Sequence, residues 1–309
     1  MSLSRRTLLV ATAGTALAAC APTASPATSS TMSPATSPVP TAAVEPPTVA
    51  PPTVTPTATF TPTPAPTSAT PATLPARAVI TARYAGVAPA AWGLDVPGVL
   101  TALPRSAAPA VALTFDACGG PGGSGYDAAL VGTLREHGVP ATLFLNARWI
   151  DANPAVFDAL AADPLFEIAN HGTAHRPLSV TGRAAYGIAG TRDPGEVYDE
   201  IAGNQAKLTA LLGRPPGFFR SGTAHYDDVA TRIADDLGQR IAGFSTNADG
   251  GATLPAAQVQ RELLDVAPGG IVLAHMNHPA SGTARGLAAA LPALLAAGRT
   301  FTRLSDAFR

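Results

Sequence analysis

Two histidines stand four positions apart in the run Asn170-His171-Gly172-Thr173-Ala174-His175. Imidazoles so spaced can turn their nitrogens toward one point, which suits a ligand pair for zinc or its borderline neighbours cobalt and nickel. Other side chains capable of chemistry stand where short apolar runs end: Asp116 after residues 111–115, Arg220 after 217–219, Asp249 after 241–245 and His275 after 271–274. Five separate segments thus deliver an ionisable group, a distribution that random surface placement seldom produces. A carboxylate, an imidazole and a cation site together suit hydrolysis, since one group takes a proton from water and another gives one to the leaving atom.

Positioning such groups requires a scaffold of strands that end at one rim. Strand signals fall at residues 111–115, 141–145, 166–169, 217–219, 241–245, 271–274 and 300–302. Helical patterns fill the gaps at 126–137, 154–162, 194–212, 227–237, 256–266 and 285–297. Asp193 is placed to cap the 194–212 helix at its N-terminus, with Gly213 beyond its end and Gly138 ending the 126–137 helix. The alternation predicts an α/β fold, a distorted or incomplete parallel (β/α) barrel of about seven strands, with its site at the carboxyl ends of the strands.

Composition narrows the function classes. The chain has 309 residues, 46% of them hydrophobic, and a formal charge of -1 from 20 basic and 21 acidic residues. Lys207 is the single lysine and there is no basic run, so nucleic acid is not an expected partner. No obligate protein partner is evident. Ser4-Arg5-Arg6 precedes a short apolar run, residues 8–19, and Leu17-Ala18-Ala19-Cys20 resembles a bacterial lipobox. Residues 1–20 therefore read as an export signal that leaves Cys20 lipidated on the outer face of a bacterial membrane, in the cell envelope. The alternative is an ordinary secretory signal cut elsewhere, and both place the protein outside the cytoplasm. Residues 21–77 are dominated by Pro, Thr, Ala and Ser, and a polyproline-like tether of this composition could reach on the order of 150 Å at about 3.1 Å per residue. A globular pattern begins at residue 78 and runs to 309. With only Cys20 and Cys118 there is no disulfide framework, and Cys118 is expected as a thiol.

From about Val111 to the C-terminus these residues resemble the polysaccharide deacetylase family, the family 4 carbohydrate esterases. Thr114-Phe115-Asp116 looks like the family's first motif, His171-Gly172-Thr173-Ala174-His175 its second, Phe219-Arg220 the start of its third, and Leu273-Ala274-His275 its fifth, with Asp249 at the fourth. The resemblance implies Asp116 as general base, His171 and His175 as metal ligands, Arg220 as the group orienting the base, and His275 as general acid. It also implies a divalent ion, zinc above all, and an acetylated glycan such as peptidoglycan or a chitin-like polymer as substrate.

The chain departs from that pattern twice. The family usually carries a second aspartate directly after the base as a third metal ligand, and here that position is Ala117. The ion would then be held by two histidines and water, by Asp116 itself, or by a group from elsewhere, of which Cys118 is the nearest. Restoring the carboxylate with Ala117→Asp is expected to tighten binding if the backbone follows the family course. In the third motif Arg220-Ser221-Gly222-Thr223 replaces an Arg-x-Pro-Tyr pattern, which predicts a reshaped groove wall. A catalytically silent glycan-binding lipoprotein with the same barrel is the rival reading.

Other polar features carry plainer expectations. Residues 119–125 form a Gly-rich run without the Gly-Lys-Ser/Thr ending that cradles phosphate, and predict a rim loop. His225 and His278 belong either to the groove or to solvated loops. Asp227, Asp228, Asp235 and Asp236 predict a solvated helix face, and His137 a helix C-terminus.

Overall fold

A computed structural model describes residues 74–309. The export signal, Cys20 and all but the end of the 21–77 tether lie outside the described residues. Eight parallel strands form the main sheet: β1 (Val99–Leu100), β2 (Ala112–Ala117), β3 (Ala141–Leu145), β4 (Phe166–Asn170), β5 (Phe218–Phe219), β6 (Arg240–Ala242), β7 (Thr246–Asn247) and β8 (Ile271–His275). Their order is β1-β6-β5-β4-β3-β2-β8-β7, and the sheet curls into an incomplete barrel.

The expected barrel is therefore present, with one strand more than anticipated and two differences in detail. The single strand expected at 241–245 is two, because the chain leaves β5 and β1 after Ala242, turns at Gly243, and joins β8 from Thr246. One short run of chain thus contributes to both ends of the sheet. At Gly243 a Cβ would lie 2.6 Å from a Val99 methyl carbon, so a side chain would force the crossing apart. Residues 300–302 contribute only an isolated bridge, Val111 to Phe301.

Helices cover the outer face: α1 (Arg77–Tyr84), α2 (Ala128–Glu136), α3 (Ala147–Ala152), α4 (Pro154–Ala161), α5 (Pro194–Leu212), α6 (Asp228–Asp236), α7 (Ala256–Leu264), α8 (Thr283–Ala296) and α9 (Leu304–Ala307). The helix ends follow local chemistry. Asp127 accepts from Leu130 N at 3.1 Å and caps α2, while Asp193 accepts from Glu196 N at 2.9 Å and caps α5. Gly213, at φ 71°, ends α5 in the left-handed conformation that costs glycine least.

Strand alternation sorts the two faces of the sheet. Along β2, Leu113, Phe115 and Ala117 point outward into the main core with residues of α2 and α8, such as Leu130 and Leu287. Ala112, Thr114 and Asp116 point the other way, where Ala112, Phe144, Ala169, Phe218, Ala242 and Ile271 form the interior cluster.

The acidic residues around α6 are not a uniformly solvated face. Asp227 is fully buried, capping α6 through Ala230 N at 2.8 Å and accepting from Val180 N at 2.6 Å. Asp228 accepts from Ala90 N and Ala91 N, and Asp236 accepts from Arg83 and the Tyr84 hydroxyl of α1. Asp228 and Asp236 thereby dock the segment before β1 onto the barrel. Nothing in the local pattern distinguishes them from surface charges, because their partners lie more than a hundred residues away in the chain.

Candidate active site

The carboxyl ends of the strands open into a cleft of about 660 Å³ lined by Asp116, Cys118, His175, His275 and His278, with the Gly119 to Gly123 loop on one side. Asp116 is on β2 and His275 ends β8, and the two are register partners across that strand pair. His171 and His175 follow β4, Arg220 follows β5, and Asp249 follows β7.

Arg220 is buried completely, and each of its guanidinium nitrogens is satisfied. It donates to Asp116 Oδ1 at 2.8 Å, to Thr114 Oγ1 at 2.9 Å, and to the carbonyls of Ala242 and Gly243 at 3.0 and 2.9 Å. Its planar fork lies over the Phe144 ring, 4.2 Å from the centroid. One side chain therefore ties β2 to the crossing after β6 and fixes Asp116 from behind. Burial alone would raise the Asp116 carboxyl, but the charges of Arg220, His171 and His275 outweigh it and hold the carboxyl below its ordinary value. Asp116 is thus an ionised carboxylate whose second oxygen, Oδ2, lies 3.6 Å from His171 Nε2.

A matching support stands behind His275. Asp249 Oδ1 accepts from His275 Nδ1 at 3.0 Å, and Oδ2 accepts from His275 N at 2.7 Å and Thr283 Oγ1 at 3.0 Å. With Nδ1 committed to Asp249, Nε2 is left as the titrating nitrogen. Burial pulls the His275 imidazole down, but Asp249 and Cys118 more than offset it and raise the group well above its ordinary value, which favours the protonated form.

The histidine pair sits on a tightly built loop. His171 is fully buried and donates from Nδ1 to the Arg220 carbonyl at 2.9 Å, which leaves Nε2 turned toward Cys118 and Asp116. His175 has φ 63°, a conformation uncommon for a residue other than glycine, and its Nε2 is buried without a hydrogen-bond partner. Buried Glu200 holds the loop by accepting from Ala174 N at 3.0 Å and Arg176 N at 3.2 Å. Gly222 is required here, since a Cβ in its place would run into the His175 ring and backbone. The altered third motif and the strained histidine are therefore one feature.

Cys118 Sγ lies 3.7 Å from His171 Nε2, and Cys118, His171 and His175 each offer a donor atom within 4.8 Å of the others. Burial would raise the Cys118 thiol, but the neighbouring imidazoles of His171, His175 and His275 hold it well below its ordinary value. An unpartnered buried imidazole nitrogen, a second imidazole oriented by a carbonyl, and a sulfur donor fit a divalent ion of the zinc and cobalt kind.

Several residues of the site give no signal in the sequence. Tyr186 (φ 51° and 77% exposed), Ile188 and Leu94 line the cleft from loops with no strand or helix pattern. His225 packs against Trp92 and Tyr186, with ring centroids 5.8 and 5.1 Å apart, and so belongs to this wall. The Gly-rich run is a rim loop as expected: at Gly119, φ 67°, a Cβ would lie 2.5 Å from Trp149 N. Asn146, which donates to the carbonyls of His171 and Gly172, and Glu200 shape the site from outside the motifs, and only their contacts reveal it.

The family model for polysaccharide deacetylase matches residues 104–242, which takes in Asp116, His171, His175 and Arg220 and stops before Asp249 and His275. An uncharacterized protein of Streptomyces coelicolor is 32% identical over 195 residues, 62% of this chain and 68% of its own length. Among solved structures, a family 4 carbohydrate esterase pseudoenzyme from Bacillus anthracis shares the fold with a TM-score of 0.58 at 20% identity, over 70% of each chain. A peptidoglycan N-acetylglucosamine deacetylase gives 0.57 at 22% identity, over 68% of this chain and 92% of its own. A family 4 acetyl xylan esterase from Clostridium thermocellum, in complex with a cobalt ion, gives 0.52 at 23% identity, over 64% of this chain and 89% of its own. Since the family model spans the strands that carry Asp116, the histidine pair and Arg220, and a relative matches over two thirds of its own length, this chain belongs to the polysaccharide deacetylase family.

Proposed function

We propose that this protein is a metal-dependent hydrolase that removes acetyl groups from an acetylated polysaccharide, peptidoglycan or a chitin-like glycan. The observation that carries the reading is the pair of supported groups at one rim: Asp116 held by Arg220 at 2.8 Å, and His275 held by Asp249 at 3.0 Å, beside the histidine pair. His171 and His175 would hold the ion, which when bound supplies Lewis acidity toward the acyl oxygen and the attacking water.

The remaining chemistry falls to the chain's own side chains. Asp116, ionised and unable to rotate away from Arg220, accepts the proton that water loses as its oxygen bonds to the acyl carbon. His275, protonated on Nε2, gives its proton to the departing nitrogen or oxygen as the bond to the acyl carbon breaks, because an unprotonated amide nitrogen leaves poorly. Tyr186, exposed at the mouth of the cleft, offers a face for a sugar ring. Acetate release from N-acetylated and O-acetylated glycans, with and without added zinc or cobalt, tests the reading. Release that requires the metal supports it, and no release under any metal sinks it.

Ala117 favours a second reading, a silent glycan-binding protein that has lost effective metal binding with the family aspartate. The fold is shared by a protein described as a pseudoenzyme. Glycan retention without acetate release and without bound metal would decide for it. We further propose that Cys20, lipidated after export, tethers the domain to the outer face of the membrane. Cys20→Ser should release the protein into the soluble fraction, and unchanged membrane association would overturn the anchor.

A further inference from the structure

We infer that Cys118 is the third protein ligand of the divalent ion, a thiolate standing where the family pattern has a carboxylate and this chain has Ala117. The assignment rests on the metal-dependent reading above, but its readout is the ion's coordination and not turnover.

Strand geometry makes the exchange intelligible. Ala117 is the last residue of β2, pairs with Leu145 of β3, and turns its side chain outward into the core. No ligand atom on that side chain could face the cleft without breaking the alternation. Cys118 is the next residue, on the same side of the chain as Asp116, and it lines the cleft. The ligand has moved one position along the sequence, and the side chain that faces the histidines now carries sulfur.

The distances support ligation. A tetrahedral site with a Zn–S bond of about 2.3 Å and a Zn–N bond of about 2.05 Å has an S···N edge of about 3.6 Å. The observed separation of Cys118 Sγ from His171 Nε2 is 3.7 Å. His175 closes the group with a ring nitrogen within 4.8 Å of the other two, and its Nε2 is buried without a hydrogen-bond partner. An unpaired buried polar atom costs on the order of 1–3 kcal/mol, a cost that coordination removes. Asp116 comes within 3.6 Å of His171 but is not part of that three-way convergence, and its other oxygen is committed to Arg220.

Charge and softness follow. A thiolate carries the same single negative charge as the absent carboxylate, so the ligand set keeps its neutralising power; the thiol proton passes to solvent as the metal–sulfur bond forms. Sulfur also moves the preference of the site toward zinc and cobalt and away from magnesium, calcium and manganese.

Cobalt titration of the full chain carrying Cys20→Ser, which leaves Cys118 as the only sulfhydryl, tests the assignment. One equivalent of cobalt should bind with a near-ultraviolet thiolate-to-cobalt charge-transfer band. Cys118→Ser on that background should lose the band and weaken binding by at least roughly 100-fold, the upper end of what loss of a mere outer partner costs. Cys118→Asp should also lose the band but bind more tightly than the serine variant. Cobalt bound without the band in the chain that retains Cys118 overturns the thiolate ligand and leaves the histidine pair standing. A Cys118→Ser chain that binds cobalt as tightly as its parent overturns it equally. The band present with no acetate released from any glycan upholds the ligand and sinks the deacetylase reading instead.

Discussion

Asp116 and His275 are register partners on the adjacent parallel strands β2 and β8, so the carboxylate and the imidazole are set side by side by backbone pairing. Each is backed by a second buried charged group, Arg220 for one and Asp249 for the other. Asp116→Asn and His275→Ala should each lower turnover by roughly 10²–10⁴-fold, the range for loss of a general base or acid, while leaving bound metal close to one equivalent. Acetate release and metal analysis on the same preparations check this. Loss of metal in Asp116→Asn would place Asp116 among the ligands rather than at the water.

His171 and His175 each bring a ring nitrogen within 4.8 Å of the other and of Cys118 Sγ; His171 is oriented by the Arg220 carbonyl, and His175 Nε2 is buried without a partner. His171→Ala and His175→Ala should each remove measurable binding in equilibrium dialysis. A mild chelator should abolish activity, and added zinc or cobalt should restore it. Activity that survives exhaustive chelation would exclude a functional ion.

Ala117 is fully buried in the apolar core. Ala117→Asp is therefore expected to destabilise the fold by roughly 3 kcal/mol or more, through an unpaired buried carboxylate, and not to tighten metal binding. This reverses the expectation drawn from the family pattern, because the backbone here remains in β2 through that residue. Urea unfolding read beside cobalt affinity separates the outcomes; tighter cobalt binding at unchanged stability would show that the strand end can turn.

Glu196 is bridged by Arg192 and Arg176, with Arg176 Nη1 at 2.8 Å, which ties the loop carrying Tyr186 and Ile188 to the start of α5. The hydrogen bond from Arg192, opposed by burial and reinforced by Arg176, holds its carboxyl down to about 2 from 4.5. A carboxyl lowered on folding stabilises fully above its unfolded value, so this contribution is present above pH 4.5 and lost as pH falls toward 2. Water screens a pair this near the surface, and its worth is about 1 kcal/mol or less. Glu196→Gln should lower stability by that amount at pH 7 and by progressively less toward pH 2. An equal loss at both ends would mean that the charge has no part in it.

The barrel was legible because strand and helix periods alternate along the chain, and because caps such as Asp193 and Gly213 are local signals. The short strand β1 was not, and the split of the 241–245 segment into β6 and β7 was not, since both depend on pairings made only once the sheet has curled. Asp227 reads as an ordinary surface charge, and Glu200 gives no signal, for a similar reason: their burial depends on N–H groups of distant backbone that donate to them.

Residue type and order, which need no fold, are enough to put an aspartate, a histidine pair, an arginine and a last histidine at successive strand ends. The sequence by itself therefore determined the family pattern and the absence of a ligand atom at Ala117. Only the tertiary structure decided which way each side chain faces. Pairing of β2 with β3 and β8 turns Ala117 into the core and Asp116 into the barrel, and the chain leaving β2 brings Cys118 to 3.7 Å from His171. Facing is a property of a strand's register with its neighbours, and register is settled by contacts between segments that a linear reading keeps apart.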